Sequence, residues 1–233
     1  MKVVIFSDLH ANLEALQSLD RECDELWFIG DCVDYGPDPT EAIRFIKEHC
    51  CRFVRGNHDH AVGYHADCRC NPANKALSVA TREWTWTVIG DSEMDFLRSM
   101  PLHQTFKWEG QQVSLFHASP QDPLYGYIMP DIADEALAGL VKNIAADIII
   151  LGHSHFPMLR RVADKWVLNP GSLGQPRDGK PSGSYLVWED GLFKPSRTDY
   201  PVEVTVRKLF SLPLLPGIQS DLATILRMGS NLN

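Results

Sequence analysis

The chain has 233 residues, 44% of them hydrophobic and 22% charged, with a formal net charge of −8. That length and composition fit one large soluble globular domain. The acidic balance argues against a general binder of nucleic-acid backbone, which needs a basic stripe, yet admits a small phosphorylated substrate if bound metal cations supply local positive charge.

The first element is the apolar run Lys2 to Phe6, the pattern of a strand buried on both faces. It ends in Ser7-Asp8-Leu9-His10, so Asp8 and His10 sit at a strand's carboxyl end. The run is also too short for a signal peptide or a membrane span, and the expectation is a cytoplasmic protein. Asn12 is placed to cap a helix carrying Leu13, Leu16 and Leu19. A second strand, Leu26 to Ile29, ends in Gly30-Asp31-Cys32-Val33-Asp34. The turn Tyr35 to Pro39 leads to a helix with Thr40 as its expected cap and Ile43 and Ile46 on its buried face. Phe53-Val54 is a third strand, delivering Arg55-Gly56-Asn57-His58-Asp59. Strands alternating with helices imply a largely parallel sheet, and ligands then bind beyond the strands' carboxyl ends.

From His60 to Leu102 this rhythm breaks. Residues 60–76 show no period, whereas 77–89 and 91–100 read as helices, so the segment is expected as a cap inserted over the sheet's edge. Residues 105–108 and 113–116 form a hairpin about Glu109-Gly110, whose second strand delivers His117. After a loop rich in Pro and Tyr, residues 131–142 read as a helix. Asp147 to Leu151 is a buried strand ending in Gly152-His153-Ser154-His155. A hairpin about Asp164 leads to Asn169-Pro170-Gly171-Ser172, and residues 184–188 and 192–198 form a last antiparallel pair. Residues 203–210 fit strand or helix equally well, and Asp221 to Met228 is a helix stopped by Gly229. There is no repeat and no linker, hence one domain.

Asp8, His10, Asp31, Asn57, His117, His153 and His155 therefore all fall at strand ends. A lone strand-end Asp is usually a cap or turn residue, and a lone buried His usually a hydrogen-bonded core residue. Five such coincidences are not. Mixed imidazole, carboxylate and amide donors suit manganese, iron, zinc or nickel better than calcium or magnesium. Seven donors are too many for one tetrahedral ion, and paired ions serve in-line displacement at phosphorus.

Asp8-Leu9-His10, Gly30-Asp31-Cys32-Val33-Asp34, Gly56-Asn57-His58-Asp59, His117 and Gly152-His153-Ser154-His155 follow one another in order over residues 1–175. This order resembles the calcineurin-like metallophosphoesterases, and Asn169 to Ser172 resembles their small bacterial and archaeal branch. The resemblance implies an α/β fold, a four-layer α/β/β/α sandwich of two mixed β-sheets flanked by helices. It implies that Asp8, His10 and His155 hold one divalent transition metal, with manganese the first choice. Asn57, His117 and His153 would hold a second, and Asp31 would bridge the two. A hydroxide between the ions would then attack phosphorus, while His58 faces the leaving oxygen and Asp34 orients His58.

Asn12, Tyr125, Tyr127 and Arg177 are the candidate substrate contacts, with packing the plainer reading of the two tyrosines and a solvated turn an equal one for Arg177; the expected substrate is a small phosphodiester or nucleotide. A phosphomonoesterase is the alternative. A phosphoprotein phosphatase is less favoured, because Tyr35-Gly36 stands where that group's pattern has Arg-Gly. The same fold also serves as a metal-free protein-binding scaffold, but such a retired site should have broken ligand motifs and none is broken here. The six cysteines (Cys23, Cys32, Cys50, Cys51, Cys68 and Cys70) read as reduced thiols in a chain this long. His60, His65, Cys68 and Cys70 offer zinc donors, but their spacing matches no usual zinc knuckle, and a loop carrying reduced thiols is the plainer expectation.

Overall fold

The computed structural model describes residues 1–232. In chain order the elements are β1 (Lys2–Phe6), α1 (Leu13–Gln17), β2 (Glu25–Phe28), α2 (Pro39–His49), β3 (Arg52–Phe53), α3 (Asn57–Tyr64), α4 (Lys75–Val88) and α5 (Asp91–Ser99). They continue with β4 (His103–Trp108), β5 (Gln111–Phe116), α6 (Asp134–Val141), β6 (Ile148–Ile150), β7 (Pro157–Val162), β8 (Lys165–Pro170), β9 (Gly183–Glu189), β10 (Leu192–Thr198), α7 (Val202–Phe210) and α8 (Pro216–Met228). One sheet runs β10-β9-β1-β2-β3 and the other β4-β5-β6-β8-β7. Each has a parallel core, β1-β2-β3 and β5-β6-β8, flanked by antiparallel strands.

Alternation along the strands divides the apolar residues between layers. Val3, Ile5, Trp27 and Ile29 of the first sheet meet Val113, Leu115, Ile148 and Ile150 of the second in the inter-sheet core. Trp27 stands edge-on to Phe106, Trp108 and Trp188, with ring centroids 5.0, 5.4 and 5.8 Å away. Val4, Phe6 and Phe28 point the other way, into the layer with Leu16, Ile43, Ile46 and Leu97. The outer face of the second sheet is covered by Leu137 and Val141 of α6. The result is the α/β/β/α sandwich implied by the motifs.

The helices depart from the sequence reading in instructive ways. Asn12 caps α1, its Oδ1 accepting from Ala15 N at 3.2 Å, but α2 begins one residue before Thr40, with Asp38 at the cap position and Pro39 in the first turn. Pro fits there because its missing N–H would have no helical partner. Residues 57–64, read as the end of a strand-end motif followed by the start of an aperiodic stretch, form α3. The buried face of that helix includes Asn57, His58 and Asp59, so no apolar period marks it. Helix α6 starts at Asp134, three residues later than expected, and α8 starts at Pro216, five earlier. The ambiguous segment before it is the helix α7, whose Val206 and Leu209 bury against Leu222, Ala223 and Leu226 of α8. No described helix is long and apolar enough to cross a membrane.

Candidate metal centre

The strand-end motifs converge where the parallel strands of the two sheets end. Asp8, His10, Asp31, Asp34, His153 and His155 all have positive φ, between 49° and 66°. Left-handed backbone costs a non-glycine residue roughly 1–2 kcal/mol, and such strain persists only where surrounding structure holds it. Here the bends turn successive side chains inward from sharply curving loops.

Glycine opens the space. A Cβ on Gly56 would lie 2.0 Å from Asp31 Oδ1, and one on Gly30 would lie 2.6 Å from His117 Nδ1. Asp59, the third residue of α3, ties the loops together: its carboxylate accepts from the backbone N–H groups of Asp31, Cys32 and Gly56 at 2.7–2.9 Å. Asn169 donates to Gly152 O at 2.7 Å, and Ser172 Oγ donates to Asp8 O at 2.7 Å. The Asn-Pro-Gly-Ser stretch thus braces the first and last motifs.

Asp8, His10 and His155 bring donor atoms within 4.8 Å of one another, and Asp31, His117 and His153 do the same. Asn57 Oδ1 joins the second group, 3.2 Å from His117 Nε2. Asp31 Oδ2 lies 3.2 Å from His117 Nε2 and 3.9 Å from His10 Nε2, between the groups. All seven residues are at least 96% buried.

Protonation follows from the outer partners. His10, His117 and His155 each point Nδ1 at a backbone carbonyl, of Val33 (2.9 Å), Ile29 (2.7 Å) and Gln175 (2.6 Å). A carbonyl only accepts, so Nδ1 carries a proton in all three, which leaves Nε2 of His10 and His155 presenting a lone pair inward. Yet His10 Nε2 and His155 Nε2 are 3.2 Å apart. Burial holds the imidazoles of His10, His153 and His155 well below the usual histidine range, so a second proton does not resolve that contact. His153 Nε2 and Asp8 Oδ1 are buried without hydrogen-bond partners. Asn57 donates its Nδ2 to Cys68 O at 2.7 Å, which turns its oxygen inward as well. Burial pushes the Asp8 carboxyl up to about 7. Opposing burial, the Asp31 charge pushes His117 up to about 9, a proton that a cation would replace. Buried acceptors facing one another are costly without positive charge between them, so this donor set fits divalent metal ions.

His58 lies outside these two groups. Its Nδ1 is 2.7 Å from Asp34 Oδ2, and its backbone N–H donates to Asp31 Oδ1 at 2.9 Å. Burial alone would lower the imidazole, but the Asp31 charge and the hydrogen bond to Asp34 push it up to about 9. Asp34 is braced from α4, accepting from Ser78 Oγ at 3.1 Å and Arg82 Nη1 at 3.5 Å. Ser78 and Arg82 escaped the sequence reading. The available signal was a polar stripe, Ser78, Thr81, Arg82 and Thr85, on the face that α4 buries.

The expected substrate contacts separate. Arg177 is 91% buried, donates only to Gln175 Oε1, and leaves its Nε unpartnered. It lines a cleft of about 420 Å³ with Arg69, Cys70, Tyr127, Met129 and Phe156. The Tyr127 ring lies 4.0 Å from that of His153. Tyr125 is not part of this lining and instead lies under the Arg69 guanidinium, 4.6 Å from ring centroid to Cζ. Asn12 is buried and spent within the protein, donating to Gly174 O and accepting from Thr205 Oγ1. Phe156 and Arg69 were not anticipated, although Phe156 directly follows the last motif. His60 and His65 stack on Tyr64 and Trp86, whereas Cys68 and Cys70 gather at His58.

Residues 1–190 match the family model for the calcineurin-like phosphoesterase superfamily domain. The chain is 32% identical over 230 residues to an uncharacterised protein of Methanocaldococcus jannaschii, covering 89% of this chain and 91% of that one. It is 37% identical over 87 residues to a symmetrical bis(5'-nucleosyl)-tetraphosphatase of Erwinia tasmaniensis, a match spanning 34% of this chain and 32% of that protein. The crystal structure of a metallophosphoesterase from Sphaerobacter thermophilus superposes with a TM-score of 0.83 at 26% identity, covering 98% of this chain and 99% of that one.

Proposed function

The chain belongs to the calcineurin-like phosphoesterase superfamily, and on that footing we propose that it is a metal-dependent hydrolase of small phosphodiesters, with nucleotides as the natural class. The observation carrying this reading is the pair of buried acceptor groups, Asp8-His10-His155 and Asp31-His117-His153. Asp8, His10 and His155 would hold one divalent transition metal and Asn57, His117 and His153 the other, with Asp31 between them. When bound, such a pair supplies Lewis-acid stabilisation and a nucleophile at neutral pH; manganese is the first metal to test.

The chain's own residues account for the rest. His58, its Nδ1 held by Asp34, carries a proton toward the leaving oxygen. Asp34 positions that imidazole, and Ser78 and Arg82 position Asp34. That brace comes from α4, inside the segment 60–102 expected as a cap. Arg177 is a buried guanidinium without a carboxylate partner among the described residues, and phosphate oxygens match its planar donors. Tyr127 and Phe156 line the same cleft and offer faces to a base. The local similarity to tetraphosphatases supports a nucleotide-like substrate, the site geometry being compatible with diesters and monoesters alike.

The test is a screen of manganese-loaded protein on bis-nitrophenyl phosphate, nitrophenyl phosphate and dinucleoside polyphosphates. Hydrolysis of diesters is expected. Ready cleavage of monoesters with every diester untouched would replace this reading with a phosphomonoesterase.

A further inference from the structure

Cys68 and Cys70 are unused by the proposed chemistry, yet they meet its catalytic imidazole. An imidazole nitrogen of His58 and the two Sγ atoms all lie within 4.8 Å of one another. We propose that Cys68, Cys70 and His58 form a separate binding site for one thiophilic divalent metal, with zinc as the reference ion, and that filling it withdraws His58 from catalysis. The binding half stands on the cluster alone; the inhibitory half rests on the role given to His58 above.

Ligand chemistry separates this site from its neighbours. The two acceptor groups contain only nitrogen and oxygen, whereas this one contributes two sulfurs, and thiolates select zinc over manganese or magnesium. Zinc–sulfur bonds of about 2.3 Å and zinc–nitrogen bonds of about 2.0–2.1 Å place tetrahedral ligands roughly 3.5–3.8 Å apart. The observed cluster therefore needs at most about 1.0–1.3 Å of contraction. Cys68 is buried, but Cys70 is half-buried and lines the cleft, which gives an ion its way in and a water its place as fourth ligand.

The surroundings support the charge. Two thiolates and the Asp34 carboxylate stand against the Arg82 guanidinium, so one dication leaves the cluster neutral. Ser78 Oγ, 3.1 Å from Cys68 Sγ and 3.1 Å from Asp34 Oδ2, joins the thiol to the carboxylate that orients His58. That continuity is the outer support metal sites use to fix their ligands.

Cobalt is the probe, because thiolate coordination gives a charge-transfer absorption that nitrogen and oxygen ligands do not. Reduced, manganese-loaded protein is titrated with cobalt without oxygen, then with zinc. One equivalent should develop the band, zinc should abolish it, and zinc should inhibit hydrolysis reversibly. Cys68→Ser and Cys70→Ser should lose the band while retaining manganese content. They should raise the zinc concentration for half inhibition by at least about 10-fold, the loss caused by removing even an outer-shell partner. Cys51→Ser, at an exposed thiol, should keep the band. No band in the wild type, or a band surviving both Ser variants, overturns the site. So does the loss of two thiols to a disulfide with no cobalt bound. A band in a protein inactive with every metal sustains the site and overturns the phosphoesterase reading instead.

Discussion

His58 Nδ1 and Asp34 Oδ2 are 2.7 Å apart, both side chains are buried, and neither belongs to the two groups of converging metal donors. The pair is placed to hold a proton beside those groups without joining them. His58→Ala should lower kcat by about 10²–10⁴, the usual weight of general acid–base catalysis, and leave manganese content unchanged. The loss should shrink for nitrophenyl esters, whose leaving group needs little protonation. Asp34→Asn should give a smaller loss of the same kind. Loss of manganese from His58→Ala, read by elemental analysis, would make His58 a ligand.

Asp31 stands between the two donor groups, and its effect should be shared. The loaded protein should contain two metal ions per chain, and Asp31→Asn should lower the occupancy of both together. Manganese should raise the Tm of the wild type, because ions that bind only the folded state stabilise it by mass action. The shift should be smaller in Asp31→Asn. A single ion per chain in the wild type, by elemental analysis, would sink the division of ligands.

In the cleft, Arg177 and Tyr127 should act on substrate affinity. Arg177→Met should raise KM for nucleotide diesters by about 10-fold or more, the weight of one charge-assisted hydrogen bond. Tyr127→Ala should raise it by about 2–10-fold, as expected of stacking. Both should change KM for nitrophenyl phosphate less. Tyr125→Ala should have little effect on either, since its ring is taken by Arg69. Equal changes for both substrates, measured by steady-state kinetics, would remove the cleft from substrate recognition.

Gly56 tests the packing of the site. Ala at this position puts a methyl group 2.0 Å from Asp31 Oδ1, a distance that must be relieved by moving the Asp31 carboxylate or α3. Gly56→Ala should therefore lose metal binding and Tm together. Trp27→Ala, in the inter-sheet core, should cost about 3–5 kcal/mol by urea denaturation, the range for deleting a buried Trp. A cost below about 1 kcal/mol would mean the sheets close over the gap.

The sequence by itself determined the donor residues and their order, because apolar strands announce their own ends and each motif sits at one. Phe6 stops before Asp8, Ile29 before Asp31, Phe116 before His117 and Leu151 before His153. Parallel strands share a carboxyl edge, so local patterns already implied that these side chains assemble. Tertiary structure decided what periodicity does not encode. Residues 57–64 are helical although their buried face is polar, since Asn57, His58 and Asp59 are satisfied by partners elsewhere in the chain. Residues 202–210 are helical because α8 offers an apolar face to Val206 and Leu209. Arg69 lies over Tyr125, far along the chain, and Cys68 and Cys70 meet His58 through a loop whose path no periodicity marks. Propensity is local, whereas these contacts are chosen by which surfaces the folded sheets leave to be covered.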